Sequence, residues 1–414
     1  MATQARDSLG IAMVGHGFMG ATHSLAWRNA AAAFDLPLSA SLAVIAGRNK
    51  AAVEAAAARW GWAAVETDWR RLVERDDVDV VDICTPGDSH ADIAIAALEA
   101  GKHVLCEKPL ANSVAQAEAM AAASEKAAIR GVRSMVGFNY RRVPALSLAS
   151  SLVASGRIGE VRHVRAAYLQ DWLSDPCFPL TWRLQRERAG SGALGDLGAH
   201  IIDLAQYLTG ATVTGVSALT ETFVTERPLL ETGQASGGRG LSGQGGTGKG
   251  RVTVDDAAVV LARMSRGALA TFEATRMAPG RKNAMRIEIN GSTGSLAFDF
   301  ESMNELWVNE SAREGSGEEG FRRVLATEAD HPYMSGWWPP GHGLGYDHTF
   351  TNQMRDFMEA IHLGVDPAPS FAEGSSVQRV LDAVERSAAQ SASWVPLADS
   401  DSPDRQGGQR EEMP

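Results

Sequence analysis

One glycine-rich turn near the start of the chain restricts its fold more than any other feature. Gly15-His16-Gly17-Phe18-Met19-Gly20 directly follows a short apolar run, Leu9–Val14, and precedes the helix-prone stretch Ala21–Ala33. With this spacing, the first glycine permits a tight turn, the second lets the backbone approach a ligand, and the third lets the helix pack on the strand. Main-chain N–H groups at such a helix N-terminus bind a pyrophosphate. The turn therefore predicts a dinucleotide-binding βαβ unit whose cofactor contacts come from these glycines and from Phe18 and Met19.

The segments that follow continue the alternation of strands and helices. Apolar runs at Leu42–Ala46, Val78–Ile83, His103–Cys106 and Met135–Phe138 are separated by helix-prone stretches. Short apolar runs interleaved with helices are typical of a parallel sheet that is buried on both faces. We therefore predict an α/β fold with an N-terminal Rossmann domain over residues 9–142.

The pattern changes after residue 142. Val161–Trp172 alternates apolar and polar residues, and several strand-like runs between residues 213 and 300 follow with no helix between them. Successive strands of this kind predict an α+β domain with an open, mainly antiparallel sheet, over residues 143–397. Nine of the 21 residues in 231–251 are glycine, so we expect a mobile loop there, and a disordered tail at 398–414.

The composition argues against several classes of protein. Acidic residues (50) exceed basic ones (39), and the net charge of −11 disfavours a nucleic-acid partner. Three cysteines without a CxxC pair disfavour a disulfide framework or a cysteine-rich zinc site. No apolar run approaches the ~18 residues of a membrane span, and the N-terminus lacks the apolar core of a signal peptide. We therefore expect a cytoplasmic protein with no membrane partner.

The end of the second apolar run bears on the choice of cofactor. A site that selects NAD usually has Asp or Glu here for the adenosine ribose, but this chain has Ala46-Gly47-Arg48-Asn49. A missing carboxylate removes repulsion toward a 2′-phosphate, and Arg48 can pair with that phosphate or stack on adenine. Alternatively, Arg48 is only a solvated turn residue. The turn predicts NAD(P) as the cofactor, with a preference for NADP.

Two further segments carry groups that can handle protons. Cys106-Glu107-Lys108-Pro109 follows an apolar run, which places Lys108 at the carboxyl end of a strand, where functional groups of open α/β sheets gather. In Gly190–Asp203, helix spacing would place Asp196, His200 and Asp203 on one face. The alternatives are an N-cap for Asp196 and a core position for His200. No third ligand of fitting spacing stands out, so we predict no metal.

Together these motifs resemble the Gfo/Idh/MocA oxidoreductases, the relatives of glucose–fructose oxidoreductase and inositol dehydrogenase. The resemblance rests on the glycine fingerprint, on Glu107-Lys108-Pro109 and on the Asp196/His200 segment, with one more motif, Thr85-Pro86 with His90. It implies an N-terminal Rossmann domain, a C-terminal α+β domain whose open sheet makes oligomer contacts, and therefore a homo-oligomer. It also implies further cofactor contacts, from Thr85, Pro86, His90, Glu107 and Lys108.

Other segments are similar to a branch of that family that oxidises a ring hydroxyl of an anhydrosugar. They are Tyr168–Trp172, Glu226–Leu229, Glu273–Arg276 and His331–Tyr333. The chain departs from the pattern in two places. Gly87 follows Pro86 where relatives often have Asn, and the Gly47 turn lacks the acid that this branch is expected to use for NAD.

The resemblance and the residues together predict an NAD(P)-dependent dehydrogenase of a sugar, an anhydrosugar or a cyclic polyol. His200 is the expected general acid/base, because histidine titrates nearest neutral pH. Lys108 would hydrogen-bond the same substrate oxygen, and Asp196 would fix the hydroxyl or the imidazole. A Lys108 with a depressed pKa could instead be the base, and the sequence does not separate these two assignments.

The second domain supplies the expected substrate contacts. Gln170 and Trp172 are two apart on a strand and share a face, so an amide and an apolar ring meet the sugar there. Tyr140, just past the last Rossmann strand, is the third candidate, and plain sheet packing is the alternative for each residue. Two other functions stay open at this point: a glycosidase that acts by transient oxidation and elimination, and a non-catalytic regulator that senses a dinucleotide.

Overall fold

The N-terminal part of the chain forms a parallel sheet of six strands with helices on both faces. The computed structural model describes residues 8–230, 245–310 and 320–397. The strands of the first sheet are β1 (Ser8–Val14), β2 (Ser39–Ala46), β3 (Ala64–Glu66), β4 (Val80–Ile83), β5 (His103–Cys106) and β6 (Ser134–Val136). The helices are α1 (Phe18–Ala33), α2 (Lys50–Trp60), α3 (Arg70–Val73), α4 (His90–Glu99) and α5 (Val114–Ala128).

The order of the strands in this sheet is β3-β2-β1-β4-β5-β6, and every neighbouring pair is parallel. Strands β1, β4, β5 and β6 are buried almost throughout, as expected for a sheet covered on both sides. The strand order reverses between β1 and β4. In open α/β sheets a ligand binds in the crevice outside the carboxyl ends of the strands at such a point.

A second, larger sheet follows. The strands described after residue 142 are β7 (Val161–Leu169), β8 (Val213–Glu221), β9 (Glu226–Leu230), β10 (Gly245–Arg251), β11 (Ala257–Met264), β12 (Leu269–Thr275), β13 (Ala284–Gly291), β14 (Gly294–Asp299), β15 (Glu305–Glu310), β16 (Arg322–Leu325) and β17 (Val395–Pro396). The helices are α6 (Pro144–Ala154), α7 (Arg186–Ala189), α8 (Ala199–Thr209), α9 (Tyr346–Leu363) and α10 (Phe371–Ala389). Strands β9 and β10 form a separate antiparallel pair.

The nine-stranded sheet has the order β16-β15-β14-β13-β7-β12-β11-β8-β17, and only β7 and β12 run parallel. Helices cover one face, against which β11 buries Ala258, Val260 and Ala262, while Val259 and Leu261 point outward. This alternation is typical of a sheet with one face on the core. The predicted fold class, a Rossmann domain followed by an α+β domain with a mainly antiparallel sheet, is confirmed.

Helix α9 lies late in the sequence but packs against α1 of the first sheet. Phe350, Met354 and Phe357 of α9 share one buried cluster with Trp27 and Ala30 of α1. The helical layer on this side of the parallel sheet is therefore completed by the C-terminal part of the chain. The domain boundary at residues 142/143 stays a prediction.

The glycine-rich segment differs in part from the mobile loop expected over 231–251. Residues 231–244 lie outside the described residues, as does the expected tail, but Gly245–Arg251 is strand β10, paired with β9. A Cβ at Gly250 would lie 2.6 Å from a methyl carbon of Leu180 and 2.8 Å from one of Leu229. Glycine here allows close packing, which composition alone does not distinguish from flexibility. Among the helices described, none is long and apolar enough to cross a membrane.

Candidate active site

The glycine-rich turn has the shape that a dinucleotide requires. Gly15 has a φ of +108°, and a Cβ there would lie 2.6 Å from the carbonyl oxygen of Cys84. A Cβ at Gly20 would lie 2.2 Å from the carbonyl oxygen of Gly15, whereas a Cβ at Gly17 would meet nothing within 4 Å. Gly17 is also the N-cap of α1 and provides no side-chain cap. The open space and the uncapped N–H groups at this end of α1 fit a pyrophosphate.

Two loops beside this turn are held together by His90. Its Nδ1 lies 3.1 Å from the carbonyl oxygen of Pro109 and 3.2 Å from that of Leu110, and its Nε2 lies 2.9 Å from that of Thr85. The His90 side chain is buried, and so is that of Glu107. Any effect of these two side chains on the cofactor therefore passes through the loops that they hold, which carry Thr85, Pro86 and Lys108.

At the carboxyl end of β2, a histidine from the glycine-rich turn takes the place where a carboxylate would be expected. A Cβ at Gly47 would lie 2.3 Å from Nδ1 of His16 and 2.7 Å from its Cε1. The imidazole of His16 therefore fills the volume that a side chain at position 47 would occupy. Its Nδ1 is buried and has no hydrogen-bond partner among the described residues, and burial lowers the pKa of the ring. Arg48, the residue after Gly47, is exposed.

Lys108 reaches across the crevice to the second domain. Its Nζ donates to the main-chain carbonyl oxygen of Asp196 at 2.7 Å and to the carboxylate Oδ1 at 3.3 Å. Arg276, which is fully buried, lies on the other side of this carboxylate, with 3.6 Å between Nη1 and Oδ2. Asp196 belongs to a π-helical turn, Leu194–Gly198, that precedes α8. Such turns occur frequently at functional sites.

Asp196 is held in its charged form. Burial favours the neutral acid, but the cations of Lys108, Arg276 and Arg183 outweigh it and bring the pKa of this carboxyl well below its usual range. The carboxylate is therefore ionised at neutral pH. Asp203, which helix spacing places on the same face, does not join this group, because it pairs with Arg141 in the interior (Nε to Oδ2, 2.9 Å).

His200 lies among aromatic rings at the start of α8. Its ring centroid is 4.6 Å from that of Tyr140 and 5.9 Å from those of Phe138 and Tyr168. Burial, with a smaller contribution from the nearby charge of Lys108, brings the pKa of the imidazole well below its ordinary value. The ring is therefore neutral at pH 7 and able to accept a proton. Its Nδ1 is buried and has no hydrogen-bond partner among the described residues.

The three expected substrate residues are joined in one hydrogen-bond network. Trp172 Nε1 donates to Gln170 Oε1 at 2.8 Å, and Gln170 Nε2 donates to Asn283 Oδ1 at 2.6 Å. The hydroxyl of Tyr168 donates to the same Asn283 oxygen at 2.7 Å and lies 2.6 Å from the hydroxyl of Tyr140. The network runs from beside His200 to the Trp172 ring. We infer that it forms one wall of the crevice.

Several residues at this site were missed by reasoning from the sequence. Tyr168 follows the same strand alternation as Gln170 and Trp172, and that period would have included it. Asn283 precedes β13 and carries no local signal. Arg276 is in a segment that resembles the family, but its place beside Asp196 depends on the packing of the Leu194–Gly198 turn against β12.

The comparisons with known proteins agree with this geometry. Residues 9–138 match the model described as "Oxidoreductase family, NAD-binding Rossmann fold", and residues 147–297 match that of the GFO/IDH/MocA C-terminal domain. The chain belongs to the Gfo/Idh/MocA oxidoreductase family. It is therefore an oxidoreductase whose N-terminal domain is of the NAD-binding kind.

Three relatives illustrate the match within the family. Levoglucosan dehydrogenase of Pseudarthrobacter phenanthrenivorans is 43% identical over 391 residues, which cover 94% of this chain and 98% of the relative. The crystal structure of an oxidoreductase domain protein from Kribbella flavida has a TM-score of 0.89 at 61% identity, and the match covers 95% and 100% of the two chains. Levoglucosan dehydrogenase in complex with NADH and levoglucosan has a TM-score of 0.87 at 41% identity, with coverage of 95% and 100%. The resemblance to the anhydrosugar-oxidising branch is confirmed.

The departure from the family pattern at Gly87 has a structural counterpart. A Cβ at Gly87 would lie 2.2 Å from Oδ1 of Asn112. Asn112 follows the Lys108 loop, and its Nδ2 donates to the carbonyl oxygen of Arg188 at 3.0 Å. An asparagine side chain from another loop thus fills the space that a side chain after Pro86 would take.

Proposed function

We propose that this protein is an NAD(P)-dependent dehydrogenase that oxidises a ring hydroxyl of a sugar, an anhydrosugar or a cyclic polyol. The observation that carries the proposal is the pairing of a charged Lys108, held on Asp196, with a neutral His200 close to it. Lys108 follows β5, one of the strands whose carboxyl ends border the crevice, and His200 lies at the start of α8, just after the Asp196 turn. The levoglucosan dehydrogenase relatives, one solved with NADH and levoglucosan, favour an anhydrosugar as substrate.

The cofactor, when bound, supplies the chemistry of hydride acceptance at its nicotinamide ring. The residues of the chain handle the proton that leaves the same hydroxyl. Lys108 donates a hydrogen bond to the carbinol oxygen and stabilises the negative charge that develops on it. His200, neutral because its pKa is lowered, accepts the proton. Asp196 holds the Lys108 amine through its carboxylate and its main-chain carbonyl oxygen.

We therefore assign Lys108 as the hydrogen-bond donor and His200 as the base. Lys108 Nζ already donates to the main-chain carbonyl oxygen and to the carboxylate Oδ1 of Asp196, which is the geometry of a hydrogen-bond donor. The opposite assignment, with Lys108 as the base, predicts a different dependence of kcat/KM on pH.

The substrate ring would lie against the wall formed by Tyr140, Gln170 and Trp172. Trp172 offers an apolar face to the C–H groups of a sugar, and Arg276 lies 5.6 Å from the centre of that ring on its buried side. Gln170 and Asn283 supply amide groups for hydroxyls. The Phe300 ring packs against Tyr140, with 4.8 Å between the ring centroids.

For the cofactor, we propose that the chain accepts NADP as well as NAD. The end of β2 offers no carboxylate that would repel a 2′-phosphate, and Arg48 is exposed at that position. His16 blocks the place where such a carboxylate would stand. Glu66, at the nearby end of β3, is hydrogen-bonded to the main chain of its own turn and pairs with Arg71 of α3.

We further propose that two or more copies associate through the outer face of the nine-stranded sheet. Leu219, Val259, Leu261 and Leu269 on this face are each between 50% and 62% exposed, and Leu219 pairs directly with Val259. Contiguous apolar patches of this kind usually mark an interface. Light scattering tests this proposal: Leu261→Glu should lower the molar mass, and Leu363→Glu, at an equally exposed leucine on α9, should not.

The three cysteines are unpaired, which is typical of proteins from a reducing compartment and supports the proposal of a cytoplasmic location. Fractionation of cells that produce the protein tests this location. Recovery of the protein outside the cytoplasmic fraction would contradict it.

The experiment that tests the proposed function is a screen of sugars, anhydrosugars and inositols with each cofactor. Reduction of the cofactor is followed at 340 nm, and the product is identified as a ketone by mass spectrometry. We expect net reduction of the cofactor, one equivalent per ketone. Release of an aglycone with no net reduction would instead indicate a glycosidase, and tight cofactor binding with no turnover on any substrate would indicate a regulator.

A further inference from the structure

A buried histidine lies beneath the Lys108 loop and takes no part in the steps proposed above. His23, in α1, is 0% exposed. Its Nδ1 lies 3.0 Å from both carboxylate oxygens of Asp82, at the end of β4, and its Nε2 lies 3.0 Å from Oε1 of Glu107. An ionised carboxylate only accepts hydrogen bonds, so each ring nitrogen must carry a proton to bond its partner. The arrangement is that of an imidazolium between two carboxylates.

The groups around His23 support this charge. Burial opposes it, but the adjacent Asp82 carboxylate outweighs burial and raises the pKa of the imidazole well above its ordinary value. Asp82 also accepts from Trp27 Nε1 at 2.7 Å, and the Cys84 thiol lies 3.4 Å from His23 Nδ1. The ring of Phe350, from α9, packs 5.4 Å away. Both ring nitrogens of His23 therefore have partners, and an aromatic ring packs beside the imidazole.

The Glu107 carboxylate links the His23 ring to the backbone of Lys108. Its Oε1 faces His23, and its Oε2 accepts from the main-chain N–H of Lys108 at 3.2 Å. The carboxylate packs closely against the backbone, because a Cβ at Gly137 would lie 2.9 Å from Oε1. The peptide that begins Lys108 is therefore tied to the parallel sheet, while the other end of the same residue is bonded to Asp196.

We propose that His23 is a positioning residue that holds Glu107 and, through it, aims the Lys108 side chain at the substrate oxygen. The proposal rests on the role given to Lys108 above. His23 also links two parts of the site. Helix α1 begins in the glycine-rich turn, and His23 lies in the second turn of this helix. The helix that presents its N–H groups to the cofactor is also the helix that fixes the loop carrying the proton-handling lysine.

Glu107→Gln and His23→Gln test the proposal, with NADH affinity measured by fluorescence and turnover measured on the sugar identified by the screen. Because small misplacements of reacting groups are costly, we expect kcat to fall about tenfold to a hundredfold in both variants. The dissociation constant of NADH should change little. The deuterium isotope effect on kcat, measured with a sugar deuterated at the oxidised carbon, should rise, because hydride transfer becomes slower relative to product release.

Trp27→Phe is the matched control. It removes a buried hydrogen bond to Asp82 Oδ2 and leaves the contact between His23 and Glu107 in place. The melting temperature should therefore fall while kcat and the isotope effect stay as in the wild type. If His23 were only structural, Glu107→Gln would behave like this control, and that result would overturn the proposal.

Two further results keep the test decisive. His23→Gln leaves two buried carboxylates without a cation and, if it does not fold, Glu107→Gln decides alone, because it keeps the His23–Asp82 pair. Lys108→Ala separates this proposal from the proposed function. Loss of turnover in Lys108→Ala with normal turnover in Glu107→Gln would overturn only the positioning role, whereas normal turnover in Lys108→Ala would overturn both.

Discussion

The Lys108 ammonium donates to the main-chain carbonyl oxygen of Asp196 at 2.7 Å and approaches its carboxylate at 3.3 Å. One residue comes from the carboxyl end of β5 and the other from the turn before α8, so the contact joins the two domains across the crevice. Neither residue could be given this partner from spacing in the sequence, since 88 residues separate them. The relationship places a charged amine where the proposed reaction needs a donor.

The first prediction concerns this amine. Lys108→Ala should lower kcat by about a hundredfold or more, the loss expected for a positioned group that stabilises charge or moves a proton. The affinity for NADH, measured by fluorescence, should change much less, because the glycine-rich turn remains intact. Lys126→Ala, at an exposed lysine in the last turn of α5, is the control and should leave kcat unchanged. Near-normal turnover in Lys108→Ala would remove Lys108 from the mechanism.

The second prediction concerns pH. Burial and the charge of Lys108 bring the pKa of His200 well below 6.5, so the imidazole remains neutral as the pH falls through that value. It accepts a proton until the pH reaches its lowered pKa, and kcat/KM should therefore decline on the acid side only well below pH 6.5. The measurement is kcat/KM between about pH 5 and pH 9 at saturating cofactor.

The alternative assignments give different profiles. If Lys108 were the base, activity would require its neutral amine, and kcat/KM would rise with pH until the amine lost its proton. An acid limb with an apparent pKa of 6.5 or above, absent in His200→Asn, would contradict the neutral, desolvated state described for His200.

The third prediction concerns the wall of the crevice. Asn283→Ala removes the oxygen that accepts from Tyr168 and from Gln170 and leaves both donors without this partner. We expect kcat/KM for the sugar to fall about tenfold, equivalent to about 1.4 kcal/mol, with the NADH affinity unchanged. Asn290→Ala, in β13 and bonded to Arg165 at the outer face of the sheet, is the control. Equal kcat/KM values for the two variants would show that the network does not contact the substrate.

The fourth prediction concerns cofactor choice. Gly47→Asp alone should change the preference between NADH and NADPH little, because its Cβ would collide with the His16 ring. With His16→Ala in the same chain, the aspartate can reach the ribose, and the ratio of the two dissociation constants should shift toward NADH by about tenfold. Arg48→Ala should weaken NADPH more than NADH.

The ratios are measured by fluorescence titration of both reduced cofactors. If Gly47→Asp alone shifted the ratio as far as the double variant, His16 would not block the position. A wild type that strongly prefers NADH, together with equal losses for both cofactors in Arg48→Ala, would show that Arg48 serves the adenine and would remove the case for NADP.

The sequence was most informative where function depends on local backbone geometry. The cofactor turn could be predicted from Gly15, Gly17 and Gly20, because a pyrophosphate requires a turn of that shape directly after a strand. The alternation of apolar runs likewise predicts the parallel sheet. Packing between segments that are far apart in the sequence leaves no such local pattern of residues. Helix α9 completes the layer beside α1, and β10 uses glycine for close contact, and neither feature follows from local pattern.

The same distinction applies within the site. Lys108, Asp196 and His200 were predicted from motifs and from the resemblance to the family, but their partners come from the tertiary structure. Asn283 joins the network only because β13 pairs with β7. The sequence also does not predict that His16 fills the space beside Gly47. This contact depends on how one side chain is oriented over the end of the neighbouring strand.

The central claim is that the chain transfers hydride from a ring carbon of a sugar to the nicotinamide with net reduction of the cofactor. The most direct test incubates the enzyme with NAD⁺ and levoglucosan that carries deuterium at its ring CH–OH carbons, followed by mass spectrometry of both products. We predict one deuterium in each NADH formed and one ketosugar per NADH. Unlabelled NADH, or a sugar product released without any net formation of NADH, would contradict the account.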